Sequence, residues 1–173
     1  MTVTVKPKAD VSYPGDLLRE ALRHVAGSVS IITAGVGDAR TGLTATSATS
    51  LSVDPPTMLV AVNRQASAWT VIRSHRHYFC VNFLGADHHD LAERFAGRKS
   101  VNGAERYGDA SWVQLATGAR VLADAVAAID CEVQEIIERH SHDIIIGAVK
   151  AVLVNGGDVL VYGQRQYGSF VPR

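Results

Sequence analysis

The chain has no excess of either charge: 17 basic residues stand against 17 acidic ones among 173. That balance builds none of the basic field that nucleic acid demands, and near-neutrality makes self-association easier. Only two cysteines are present, Cys80 and Cys131, each inside an apolar run, so a disulfide scaffold is excluded by number and a reducing compartment fits. No apolar stretch approaches the roughly 18 residues of a membrane span. The N-terminal stretch MTVTVKPKADVSYPGD has lysines but no apolar segment behind them. These absences describe a cytoplasmic protein with no nucleic-acid or membrane partner.

Familiar site signatures are missing too. There is no GxxxxGK[ST] phosphate loop, no HExxH, no CxxC pair and no GxSxG elbow, and GVGDAR at 35–40 breaks the dinucleotide fingerprint at its last glycine. Histidines do come in close pairs, His75 with His77, His88 with His89 and His140 with His142. No carboxylate or cysteine completes a ligand set around them at a recognisable spacing, so the residues point to no metal.

What is there reads as a globular domain. Hydrophobic residues make up 47% and charged residues 20%, and a chain of this length buries about two-thirds of the surface that its unfolded form exposes. Residues 1–12 carry no periodic apolar pattern and are expected to form a loose arm, leaving 13–173 as the domain. After Asp16, a plausible N-cap, Leu17, Leu18, Ala21, Leu22 and Val25 recur at helical spacing as far as Gly27. The period then changes to that of strands at 28–35, 41–52, 57–62 and 78–84. Short helices are predicted at 67–75, capped by Ser67, and at 87–97, capped by Asp87 and ended by Gly97. Residues 127–134 alternate apolar and polar, and the NGGD at 155–158 between two apolar runs is a hairpin signal. Many short strands with a few helices predict a mainly β fold, an antiparallel barrel closed or partly closed.

The stretch GLTATSATSLSVDPP at 42–56 puts six hydroxyl side chains into nine positions, Thr44 to Ser52, and stops at a double proline. An edge strand or solvated face accounts for such a composition. So does a planar heteroaromatic ligand, whose ring edge carries several acceptors and an N–H that hydroxyls and backbone groups satisfy. Asn63, Arg64 and Ser67, at the start of the following helix, could hold a phosphate.

Four segments in register, GLTATSATSLSVDPPTMLVAVNRQAS, YFCVNFLGADHHDLAERFAG, SHDIIIGAVKAV and LVYGQRQYGSF, resemble the short-chain flavin reductases, the NAD(P)H-dependent reductase components of two-component flavin monooxygenases. The likeness runs from about Asp16 to Phe170. It implies an FMN-binding split β-barrel, a homodimer, flavin (FMN or FAD) reduced by NADH or NADPH, and a monooxygenase component that takes the reduced flavin. Carried over by residue, Thr44, Ala45, Thr46 and Ser47 would line the isoalloxazine ring, with Ser50 and Ser52 continuing the strand. Asn63, Arg64 and Ser67 would approach the ribityl phosphate, and Arg94 and Phe95 would close over it. His142 would position the nicotinamide, and Tyr167 matches the tyrosine of a C-terminal YG motif. Two positions depart from the family pattern: Thr46 stands where asparagine is common, and Ser141 stands before the histidine where aspartate is common, with Asp143 following. A flavin-storing or oxidase relative on the same barrel, or a non-catalytic dimeric binding module, are the rival readings.

Overall fold

The computed structural model describes residues 13–75, 78–99, 101–108 and 110–170; the expected arm at 1–12 lies outside them, as does His77. Strands dominate: β1 (Gly27–Ser28), β2 (Ser30–Ala34), β3 (Thr41–Ala45), β4 (Ala48–Val53), β5 (Pro56–Asn63), β6 (Tyr78–Phe83), β7 (Trp112–Gln114), β8 (Arg120–Leu122), β9 (Ala127–Arg139), β10 (His142–Val154), β11 (Leu160–Gly163) and β12 (Gln166–Ser169). Among the described residues three α-helices accompany them: α1 (Pro14–Arg23), α2 (Ser67–His75) and α3 (His89–Phe95).

Seven strands form one antiparallel sheet in the order β3-β2-β6-β9-β10-β5-β4. The two edge strands of that order, β3 and β4, are nevertheless joined by only Thr46 and Ser47. A connection that short cannot span a flat sheet of seven strands, since neighbouring strands lie about 4.8 Å apart. The sheet is therefore rolled until its edges meet, which makes it the mainly β split barrel expected. Smaller sheets, β1-β11-β12 and β7-β8, pack outside.

Both faces of the central strands are buried. Ile31 of β2 and Cys80 of β6 belong to one apolar cluster, with Leu91, Phe95, Tyr107 and Leu122, while their neighbours Ile32, Phe79 and Val81 belong to another, with Val60, Val62 and Ile145. Period-two alternation thus feeds an outer core under α3 and an inner core inside the barrel. Gly147 on β10 belongs to the inner core by necessity: a Cβ there would come within 2.6 Å of the Phe79 ring. Within the walls, Asn82 donates from Nδ2 to the Ile31 carbonyl at 3.1 Å and accepts from the Leu122 amide at 2.7 Å, so this fully buried amide ties β2, β6 and β8 together.

Several predicted boundaries change. The single strand expected at 41–52 is two strands, because Thr46 and Ser47 leave the ladder to turn the barrel edge. The hairpin expected across NGGD does not form: β10 pairs with β5 and β9, whereas β11 pairs with β1 and β12. Asn155 explains the diversion. Its side-chain amide donates to the carbonyls of Ala123 and Ala125, and its backbone N–H to that of Val126, which draws the chain away from β10 before Gly156 and Gly157 turn it. Helix α1 starts at Pro14 rather than after Asp16, which sits in its first turn, as acidic residues favour. Asp87 lies in a 3-10 turn, Ala86–His88, and α3 begins behind it, while Gly97 takes the positive φ of +76° that ends the helix.

Candidate functional site

The end of β3 is where the hydroxyl-rich segment meets a cavity. Thr44, Ala45 and Thr46 line it with Val29, Ala96, Arg98, Tyr162 and Tyr167, around a space of about 190 Å³. The strand reaches this wall because Gly42, two residues earlier, lets the Phe95 ring lie against the backbone; a Cβ at 42 would meet that ring and the Ile32 carbonyl oxygen at 2.8 Å. Phe95 is itself a core residue, 1% exposed and packed edge-on against Tyr107 at 5.3 Å. Its contribution is to seat α3 over β3. Thr44 completes that seating by donating from Oγ1 to the Ala92 carbonyl at 2.6 Å.

Beyond Thr44 the segment is open. Thr46 is exposed and its hydroxyl has no hydrogen-bond partner among the described residues, and Ser47 donates to the Ala61 carbonyl on β5 at 2.7 Å. Ser50 and Ser52 lie further along β4, opposite Met58 and Thr57, and line none of the cavity. Arg94 points elsewhere as well. Its guanidinium fills the space beside Gly108, which has a φ of +45° and where a Cβ would come within 1.8 Å of Nη1.

The arginine in the cavity wall is Arg98, four residues on, which sequence reading missed. It pairs with Glu93 at 2.9 Å and donates weakly to the Tyr162 hydroxyl at 3.5 Å, interactions that raise its pKa. Tyr167 packs edge-on against Tyr162 at 5.0 Å and against His89 at 4.7 Å. Burial, followed by the nearby Glu93 carboxylate, pushes its phenol up to about 12. The wall therefore offers a fixed cation, two phenols and an unused hydroxyl. That is a donor set suited to the polar edge of a planar ring, with aromatic side chains beside it.

A second constellation stands two residues beyond the Ala61 carbonyl that Ser47 grips. Strand β5 ends at Asn63, paired across the ladder with His142 of β10. Asn63 accepts the Gln65 amide on its side chain at 2.9 Å, forming the turn that delivers Ser67 to the start of α2. Arg64 turns inward: Nε donates to Asp143 at 2.7 Å and Nη2 reaches Glu138 at 3.0 Å. Arg73 of α2 grips the same two carboxylates, Glu138 at 2.6 Å and Asp143 at 3.5 Å, and the Trp69 indole donates to Asp143 at 2.7 Å. Burial alone would raise the Asp143 carboxyl, but the Trp69 and Arg64 hydrogen bonds and both guanidinium charges outweigh it and hold it below the usual carboxylate range. Arg73 and Arg64 lower Glu138 as well, and Asp143 raises Arg64.

The departures from the family pattern take physical form here. Asp143 alternates with His142 along β10, so its carboxylate faces the interior of the ladder and His142 faces out. Ser141 stands in for the missing aspartate as the neighbour of the imidazole, with Oγ at 2.9 Å from His142 Nδ1. Two other histidines hold structural posts: His88 Nδ1 accepts the Gly85 amide at 3.0 Å, and His140 occupies the β9–β10 turn with a φ of +49°. Among the described residues no group of three or more histidines, cysteines or acids is placed to hold a metal.

Comparison with known proteins supplies the context. The family model described as the flavin reductase like domain matches residues 22–170. A relative described as FMN reductase (NADH) RutF 2, from Methylorubrum extorquens, is 42% identical over 150 residues, which is 86% of either chain. Among solved structures, BorF, the flavin reductase component of a bacterial two-component tryptophan halogenase, superposes with a TM-score of 0.82 at 28% identity, covering 92% of this chain and 98% of that one. The Streptomyces globisporus NADH:FAD oxidoreductase SgcE6, in complex with NAD and FAD fragments, gives 0.83 at 26% identity, covering 95% and 98%.

Proposed function

This chain belongs to the flavin reductase-like family, and from that premise we propose that it uses NADH to reduce FMN and releases the product to a separate monooxygenase. Its broader activity is that of an NAD(P)H-dependent flavin reductase of a two-component system. When flavin and nicotinamide are bound, the chemistry they supply is hydride transfer from nicotinamide C4 to flavin N5. The preference for FMN and NADH rests on the name of the relative at 42% identity; the NADH:FAD oxidoreductase among the structural matches keeps FAD as the competing substrate.

One observation carries the assignment of the site: the hydroxyl-bearing end of β3, Thr44 to Thr46, forms a cavity wall with Arg98, Tyr162 and Tyr167. In this reading the Thr46 hydroxyl and the backbone around Thr46 and Ser47, released from the ladder, hydrogen-bond the ring edge. Arg98 faces the side where negative charge develops on reduction, and the tyrosines exclude water. Asn63, Arg64 and the start of α2 at Ser67 lie at the phosphate end. His142, steered by Ser141, orients the nicotinamide on the opposite strand. No protein base is assigned, because a hydride leaving nicotinamide C4 releases no proton for the protein to accept.

The functional unit is a homodimer in this proposal. Support comes from apolar side chains with no cover in one chain: Val53 on β4 and Val154 on β10 are 85% and 73% exposed, and α1 buries none of its leucines. A cytoplasmic location agrees with two buried cysteines that remain unpaired.

The deciding experiment is anaerobic. Protein is mixed with FMN or FAD and with NADH or NADPH in all four combinations, and the flavin absorbance band is followed. Fast bleaching with FMN and NADH is the expected result. Flavin that binds without bleaching would point to a storage or oxidase role, and no binding would return the hydroxyl segment to an ordinary sheet edge.

A further inference from the structure

The cluster of Arg64, Arg73, Glu138 and Asp143 contains two carboxylates in very different positions. Asp143 is 1% exposed and gripped by three donors, Arg64, Arg73 and Trp69, whereas Glu138 is 52% exposed and among the described residues its carboxylate pairs with the two guanidinium groups alone. The oxygens of Glu138 are divided between the arginines: Oε2 lies 3.0 Å from Arg64 Nη2 and Oε1 lies 2.6 Å from Arg73 Nη2. Asp143 behind fixes the guanidinium groups, and Glu138 in front bridges their outward-facing nitrogens. The four charges sum to zero with Glu138 in place and to plus one when it swings away.

The family resemblance already brings Arg64 to the ribityl phosphate; we propose that Arg73 completes a phosphate-binding fork with it, anchored by Asp143, and that Glu138 is a stand-in anion which a phosphate group displaces on binding. This deepens the reductase reading above and rests on it. A carboxylate that bridges two guanidinium groups occupies the position a phosphoryl group occupies best, because phosphate offers three oxygens and more charge to the same planar donors. Displacing Glu138 is inexpensive, since half of its side chain is already in water and exposed ion pairs contribute little. A space of about 160 Å³, lined by Arg73, Glu138 and residues 133–136, Glu135 among them, opens beside the fork to receive the displaced side chain or the incoming group. The fork also lies next to Asn63 and His142, the paired residues at the end of β5 and the start of β10.

The phosphate could be the monoester of flavin mononucleotide or the diphosphate of the nicotinamide dinucleotide, and three probes separate them. Dissociation constants for FMN and riboflavin are measured by flavin fluorescence, and that for ADP-ribose as its competitive inhibition constant against NADH, on the parent protein and on Glu138→Gln and Arg73→Gln. Glu138→Gln is expected to tighten FMN about five-fold and leave riboflavin unchanged, and Arg73→Gln to weaken FMN alone by a comparable factor, the scale of one exposed charge pair. If ADP-ribose moves in this pattern and FMN does not, the fork stands and serves the dinucleotide. If Glu138→Gln leaves both phosphate ligands unchanged, or shifts FMN and riboflavin equally, the fork is refuted. Riboflavin reduction by NADH, followed on the parent protein, does not involve a flavin phosphate; bleaching there alongside unmoved constants would sink the Glu138 exchange and leave the reductase reading intact.

Discussion

The hydroxyl of Thr44 donates its hydrogen to the carbonyl of Ala92, 2.6 Å away on α3, although the side chain also lines the candidate flavin cavity. Its proton is committed to holding the helix, so toward a ligand it presents only lone pairs and its methyl group. Thr44→Val keeps the shape and removes the bond. We expect a loss of about 1 kcal/mol in denaturant unfolding, the usual value of one such bond, together with weaker flavin binding as α3 loosens. Unchanged stability and unchanged flavin titration would contradict this coupling.

The same seam is tested from beneath at Gly42. An added methyl at this position meets the Phe95 ring and the Ile32 carbonyl at 2.8 Å. Gly42→Ala should cost about 1–3 kcal/mol, as overpacking does, and raise the flavin dissociation constant because the ring it displaces supports α3. Thermal melting and flavin titration on one preparation read both effects.

Asp143 makes stability depend on acid. Its pKa is lower in the fold than in the unfolded chain, so its contribution is complete above the unfolded value of about 4 and disappears as pH falls through the folded value. Asp143→Asn should therefore destabilise at pH 7 by on the order of 2 kcal/mol, less than for a fully enclosed pair because both arginines reach water. It should also flatten the loss of stability below about pH 4. Denaturant midpoints from pH 7 down to 3 check the sign: parallel curves for the two proteins would show that the carboxylate does not titrate with folding.

Both thiols should be silent to reagents. Cys80 and Cys131 are fully buried, and burial, reinforced by the charge of Asp130, pushes them up, Cys131 to about 12. Ellman's reagent at pH 8 should label neither in the folded protein and both in guanidinium. Rapid native labelling would mean that β6 and β9 open readily.

The dimer prediction turns on β4. Val53→Lys places a charge on a strand edge where the valine is 85% exposed in the single chain. Sedimentation equilibrium should show a dimer for the parent and a shift towards monomer for the variant; a parent that sediments as a monomer would end the proposal.

Much of the fold was legible because its central strands carry period-two or continuous apolar patterns, and β2, β5 and β6 fall where those patterns put them. The failures share a cause, which is that side chains far away in sequence decided the outcome. Nothing local in NGGD reveals that Asn155 will bond to Ala123 and Ala125, and nothing in TATSATS marks Thr46 as the place where the barrel turns. Thr44, Thr46 and Tyr167 were traceable to the cavity through the family's motifs. Arg98 was not, although it follows Gly97, the one signal that the chain leaves α3 there and could double back towards the cavity. Asp143 registered only as a residue out of pattern, since its partners Arg64, Trp69 and Arg73 lie more than 60 positions earlier.

The Thr46–Ser47 connection has one more implication, for how such a protein can change. Most binding proteins carry their variable chemistry on loops with slack, which lengthen or shorten without disturbing the scaffold. Here the exposed hydroxyls ride on a two-residue link, the clasp that draws the first and last strands of the sheet together. Side chains can be exchanged on that clasp, but residues cannot be added without widening the barrel. New ligand preferences should therefore arise by substitution at fixed length, with insertions left to the outer turns.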